Sequence, residues 1–131
     1  MGMDSERAEL SKTEMMQLID RADCAMFTVE PGTDITVLFA NKKFYSIIQY
    51  TPAEFKKEFG NRTMELVIPE EKQQVRNLIA RQTAFGGVLH LEYRIKRKDG
   101  MVLWVSLTAE MAKVDGNMLY YCSVQIGRAH V

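Results

Sequence analysis

The stretch Leu89-His90-Leu91-Glu92-Tyr93-Arg94-Ile95-Lys96-Arg97-Lys98-Asp99-Gly100-Met101-Val102-Leu103-Trp104-Val105-Ser106-Leu107 decides the fold. Apolar and polar residues alternate through it, the period of a half-buried strand. Asp99-Gly100 interrupts the alternation as a hairpin turn, and Asp115-Gly116 does so again further on. Strands are therefore expected at 88–97, 101–113 and 118–125, forming an antiparallel meander. Register follows from the side chains. A three-residue loop Lys98-Asp99-Gly100 sets Tyr93 opposite Val105 and Leu91 opposite Leu107, whereas a two-residue loop would set Lys96 beside Leu103. A slip of one residue turns a whole side-chain set to the other face, so the three-residue loop is preferred. A two-residue loop at Asp115-Gly116 then pairs Ala109 with Cys122 and Leu107 with Val124. The inner face becomes Leu91, Tyr93, Ile95, Leu103, Val105, Leu107, Tyr120, Cys122 and Val124.

The opposite face carries His90, Glu92, Arg94, Lys96, Trp104, Ser106, Thr108, Glu110, Leu119 and Tyr121. It is too polar for a core and too aromatic for bare solvent. Trp104 falls opposite Arg94, which suits a cation–π contact. Part of this face is expected to be covered, and a helix at about 11–22 is the candidate cover. Ser11-Lys12-Thr13-Glu14 is a capping box, and Met15, Leu18, Ile19 and Ala22 follow at helical spacing. Two readings of that stripe stand open: it packs on its own domain, or it pairs with a partner copy.

Upstream of the meander the chain is finely punctuated. Residues 25–29 and 35–39 are β-prone and flank Pro31-Gly32-Thr33-Asp34, so they read as a hairpin. Asn41 suits the N-cap of a helix over 42–48. Thr51-Pro52-Ala53-Glu54 is a second capping box, with Phe55 and Phe59 as anchors and Gly60 as the stop. Pro69 opens a longer helix bearing Val75, Leu78, Ile79 and Gln82, which Gly86-Gly87 ends. Residues 1–10 are charged and expected to be loose.

The composition bounds what such a chain does. With 131 residues, 47% hydrophobic and 26% charged, it is the size of one globular domain. Seventeen basic residues balance seventeen acidic ones, which speaks against nucleic acid as a partner. No apolar run approaches the roughly 18 residues that cross a bilayer, so no membrane partner is expected. Two cysteines, Cys24 and Cys122, make no disulfide framework, and a cytoplasmic location is the default. A Cys–His nucleophile could draw on Cys24 or Cys122 with His90 or His130, but the register puts Cys122 and His90 on opposite faces, and a buried structural Cys is the ordinary reading. No catalytic residue and no metal site is expected. Nine methionines scatter over the elements and read as soft core filler.

The residues also carry a family resemblance. The run Phe39-Ala40-Asn41-Lys42-Lys43-Phe44 through Tyr50-Thr51-Pro52-Ala53-Glu54-Phe55 resembles the PAS-domain signature, with Gln49 where that family commonly has Gly. Glu92-Tyr93-Arg94-Ile95, Arg97-Lys98-Asp99-Gly100 and Trp104-Val105 are similar to its penultimate hairpin. The resemblance spans about 22–125. It implies an α+β fold: a five-stranded antiparallel sheet of order 2-1-5-4-3 with short helices on one face. It also implies a sensory or dimerising module that binds a small ligand or a partner. Such a module passes the signal through dimer packing to an effector such as a histidine kinase or diguanylate cyclase, which would lie C-terminal and beyond this sequence. The alternative is a ligand-free interaction domain. The pocket candidates are Tyr50, Met64, Tyr93, Val105 and Cys122. The interface candidates are Met15, Leu18, Ile19, Trp104, Leu119 and Tyr121. Haem is disfavoured because 69–85 contains no His, and a covalent flavin adduct because Gly60-Asn61-Arg62-Thr63-Met64 contains no Cys. The identity of any other cofactor stays open. The expected layout is an N-terminal segment and helix over 1–22, the domain over 23–125, and a tail over 126–131. That tail resembles the translation of a sequencing-adapter read-through and is expected to be foreign.

Overall fold

The computed structural model describes residues 9–84 and 86–127. In chain order it contains β1 (Glu9–Leu10), α1 (Lys12–Arg21), β2 (Ala25–Val29), β3 (Val37–Ala40), α2 (Lys42–Ile48) and α3 (Pro52–Phe59). A 3-10 turn (Thr63–Leu66), α4 (Pro69–Thr83), β4 (Val88–Lys96), β5 (Val102–Val114) and β6 (Asn117–Ile126) follow. The five main strands lie antiparallel in the order β3-β2-β6-β5-β4, the expected 2-1-5-4-3 when only those five are numbered.

The register is the one the alternation demanded. Tyr93 pairs with Val105, Leu91 with Leu107, Ala109 with Cys122 and Leu107 with Val124. The inner face and the helices form one core, in which Phe27, Phe55, Met64, Leu91 and Leu107 are fully buried. Leu103 is only half-buried. An aromatic chain runs through the helical layer: Phe27–Phe44 at 4.6 Å, Phe44–Phe55 at 5.9 Å and Phe55–Phe59 at 6.0 Å between ring centroids. Both capping boxes form, with Ser11 accepting from the Glu14 amide and Thr51 from the Glu54 amide. Gln49 ends α2 in the left-handed conformation, φ 66°, which accounts for the glycine common at this position in the PAS signature.

Several boundaries differ from the sequence reading. The second β-prone run pairs only from Val37, because Ile35 takes a positive φ of 53° and hands Thr36 to a bridge with Arg62. The longer helix ends at Thr83 rather than 85. Glu9–Leu10 is not loose: it adds in parallel to the far end of β5, and the Asp115 amide donates to the Leu10 carbonyl. Residues 1–8 lie outside the described residues. Of the tail, Ile126 ends β6 and the Gly127 amide donates to the Trp104 carbonyl, while 128–131 lie outside the described residues.

The β4 edge is closed by side chains of α4. Glu71 accepts from the Arg94 amide at 2.9 Å and from Arg94 Nε at 2.7 Å. Gln82 accepts from the His90 amide at 2.7 Å and donates to the His90 carbonyl at 2.9 Å. Gln82, read from sequence as part of a packing face, therefore works as an edge cap, which keeps this part of the strand from pairing with another chain.

Candidate functional site

Two regions merit the name of site: the space between sheet and helices, and the outer sheet face with α1. The first is closed. Met64, Tyr93, Val105 and Cys122 are all buried in the main core, and Tyr50 packs against it. They share one packed cluster, and Cys122 also borders a small cavity. The cavity at Cys122, bounded also by Val29, Ile35, Ile79, Leu107 and Tyr120, measures about 20 Å³. That is room for about one water molecule. Tyr50 stands edge-on to Phe59 at 5.3 Å and lines an open surface depression with Tyr45 and Gln49 instead. Burial pushes the Cys122 thiol well above its ordinary range. It does the same to the Tyr93 phenol, with the nearby Cys122 adding to the effect. Both groups are held neutral, and a Cys122 thiolate nucleophile is unavailable at neutral pH.

The outer face is where α1 lies. Met15 and Ile19 are buried against Val114 and Leu119, with Leu10, Met26, Phe39, Ala112 and Tyr121 packed around them. Of the two readings of the helical stripe, the structure shows the first: α1 packs on its own domain. Met15 and Ile19 spend their apolar surface there, whereas Leu18 is 55% exposed. The Asp115 carboxylate accepts from the Lys12 amide at 3.1 Å and pins the start of α1 to the β5–β6 turn. Beside α1 runs a groove of about 440 Å³ bounded by Met15, Leu38, Phe39, Val114, Met118 and Leu119. Leu38 and Met118 are not among the interface candidates read from the amino-acid pattern. Leu38 reaches this groove through a bulge in the β2–β3 pairing that alternation does not encode.

The interface candidates thus divide. Met15, Ile19, Leu119 and Tyr121 form one cluster, and Leu18 and Trp104 lie apart from it. Arg94 sits over the Trp104 ring at 5.4 Å, as its cross-strand position predicts. Trp104 also borders a cleft of about 170 Å³ with Glu71, Val75 and Leu78 of α4. Tyr121 donates to the Glu110 carboxylate, and this bond, with burial, pushes its phenol up to about 12. The mixed outer face is more covered than its composition suggests, since Ser106 and Thr28 are buried. Among the described residues no three His, Cys, Asp or Glu side chains gather as metal ligands.

A family model described as PAS fold matches residues 37–124, well over half of the chain. No curated protein matches. Among solved structures, the chain is similar to a LOV protein of Rhodobacter sphaeroides, at 20% identity and TM-score 0.72, over 89% of this chain and 67% of that one. It is similar to a PAS domain of Colwellia psychrerythraea at 13% identity and TM-score 0.70, over 90% and 98% respectively. A domain of a sensory box sensor histidine kinase/response regulator from Geobacter sulfurreducens is 20% identical with TM-score 0.63, over 85% and 90%. At these identities the likeness is one of fold.

Proposed function

The chain belongs to the PAS fold family, and from that premise we propose that it is a sensory, signal-relaying module of a larger signalling protein. It works as a homodimer, and its effector domain follows the C-terminal strand. It carries out no catalysis of its own. Among the described residues no helix is long and apolar enough to cross a membrane, and a cytoplasmic setting is part of the proposal.

The observation that carries this reading is the layout of the two faces. The inner face is packed with helices, and the outer face holds an amphipathic helix with Leu18 exposed and, on the same side of the sheet, an apolar groove bordered by exposed Leu38 and Met118. A dimer formed through that side would bury these residues and bring α1 of each copy near the other. On the input, the cavity of about 20 Å³ favours the ligand-free variant, in which a partner's state and not a small molecule is read. A small ligand in the core would require the packed side chains of the cluster that holds Met64 and Tyr93 to rearrange.

The test is light scattering on the full chain, together with Leu18→Glu and Trp104→Ala. A dimer that Leu18→Glu dissociates supports the reading. A monomer at every concentration, or a dimer indifferent to both changes, refutes this interface. Native mass spectrometry of the purified chain reports the input: a retained small molecule would overturn the ligand-free variant.

A further inference from the structure

Asn41 does far more than cap α2. The residue is 5% exposed, and its side chain uses all four of its hydrogen-bonding positions. Oδ1 accepts from the Phe44 amide at 3.1 Å, the N-cap bond of α2, and from the Met26 amide at 3.2 Å, in β2. Nδ2 donates to the Ile19 carbonyl at 2.9 Å and to the Cys24 carbonyl at 2.9 Å. The Asn41 backbone amide adds a bond to the Met26 carbonyl at 3.0 Å. Ile19 lies in the last turn of α1, and its carbonyl takes the Asn41 bond in addition to one from the Ala22 amide at 3.3 Å. One side chain therefore caps the C-terminus of α1 and the N-terminus of α2 at once. The two helices lie on opposite faces of the sheet: Phe44 of α2 belongs to the main core, and Ile19 of α1 to the outer cluster. Lys43 reinforces the junction by donating to the Asp23 carbonyl in the loop between α1 and β2.

We propose that Asn41 is the joint through which the inner helical layer and the outer helix α1 move together: a shift of α2 is transmitted to α1 through this one buried amide. The geometry supports this role. Two acceptor bonds and two donor bonds meet on a planar group, so the group cannot follow one helix without straining its bonds to the other. An unpaired carbonyl or amide at this depth is costly, which ties the two sets of bonds into one unit. The coupling is reciprocal, because docking at α1 biases α2 as much as the reverse. Asn41 is a positioning residue. The proposal rests on the relay reading, because it says how the sealed inner layer reaches the outer face. Its test does not depend on a dimer or an effector.

Hydrogen exchange on the wild-type chain in graded urea below the unfolding transition is the first measurement. The α1 amides, Phe44 and Met26 are expected to open in one step with a common urea slope. Asn41→Asp then separates the two halves. It keeps an oxygen for Phe44 and Met26 but turns another oxygen toward the Ile19 and Cys24 carbonyls. Exchange in α1 is expected to quicken about tenfold or more, well beyond any change in β5. Asn41→Ser, which lacks the amide donors, is expected to act in the same direction. Phe44→Leu, a change inside α2, is expected to quicken α1 exchange in the wild type and to add little in the Asn41→Asp background. The joint is overturned if α1 opens in wild type with its own slope, apart from Phe44 and Met26. It is equally overturned if α1 loosens only in step with β5, or if Phe44→Leu acts equally in both backgrounds. The wild-type arm stands even if a variant fails to fold. An unaltered joint in a monomeric protein would remove the dimer reading and leave this one standing.

Discussion

Met64→Ala tests directly whether the core is packed or poised to hold a ligand. Met64 is fully buried in the 3-10 turn, and its side chain belongs to the main core. Truncating a buried methionine removes its transfer free energy and leaves a void, together costing about 2–5 kcal/mol. Where in that range the value falls depends on whether the backbone can sink into the void. Here it is held: the Thr63 amide donates to the Ile35 carbonyl at 3.0 Å and the Met64 amide to the Asp34 carbonyl at 3.1 Å. The Thr63 hydroxyl adds a further bond to the Ile35 carbonyl at 3.0 Å. The turn is pinned at two consecutive residues, so the void persists, and a loss of about 3–4 kcal/mol is expected. With a urea dependence of roughly 1.5–2 kcal/mol/M for a domain of this size, the midpoint falls by about 2 M. Equilibrium urea unfolding followed by far-ultraviolet circular dichroism measures it, and Trp104 fluorescence reports independently from the outer face. The new void is also expected to bind a small apolar probe such as benzene and to regain part of the lost stability on binding. A loss below about 1 kcal/mol would refute the packed-core reasoning, since a wall of an existing cavity is cheap to trim.

Two other perturbations separate local from tertiary effects. Gln49→Gly relieves a left-handed residue, worth about 1–2 kcal/mol, and gives back about 0.5–1 kcal/mol in the freer unfolded chain; it also removes the exposed Gln49–Ser46 bond of 2.7 Å. A net gain of about 0.5 kcal/mol in chemical denaturation is expected, and a net loss would mean that the side-chain bond outweighs the backbone strain. For Tyr121, whose phenol is pushed up to about 12 through its bond to Glu110, the pH sign is definite. Its folded value lies above its unfolded one of about 10, so its contribution is whole below pH 10 and is lost as pH rises toward 12. Tyr121→Phe is expected to flatten the alkaline fall in stability over that window, and an unchanged slope would place the tyrosine's bond elsewhere.

Much of the architecture is legible in the chain because its determinants are local. The meander register follows from Tyr93, Val105, Leu107 and Cys122, since side chains one residue apart face opposite ways. The two capping boxes each close over three residues, so Ser11-Glu14 and Thr51-Glu54 announce their helices unaided. The Arg94–Trp104 contact follows from register alone. The candidate site was less legible. Alternation names Tyr93, Val105 and Cys122 as inward-facing, but it does not say whether the side chains opposite fill the space. Tyr50 follows α2 closely in the chain, which suggests the pocket, yet it lies at the surface beside Phe59.

The amino-acid order by itself determined which faces are apolar, where helices start and stop, and how the three last strands pair. It did so because each of those is set by residues close together in the chain or locked by a period of two. Only the tertiary structure decided that α1 lies on its own sheet, that α4 seals the β4 edge, and that the cavity beside Cys122 shrinks to about 20 Å³. It alone gave the Asn41 side chain its acceptors, the carbonyls of Ile19 and Cys24, 22 and 17 residues away. Those outcomes depend on volumes and hydrogen-bond partners matched across distant segments. A one-dimensional pattern of apolar and polar residues records that a surface must be covered, but not by what, nor how tightly.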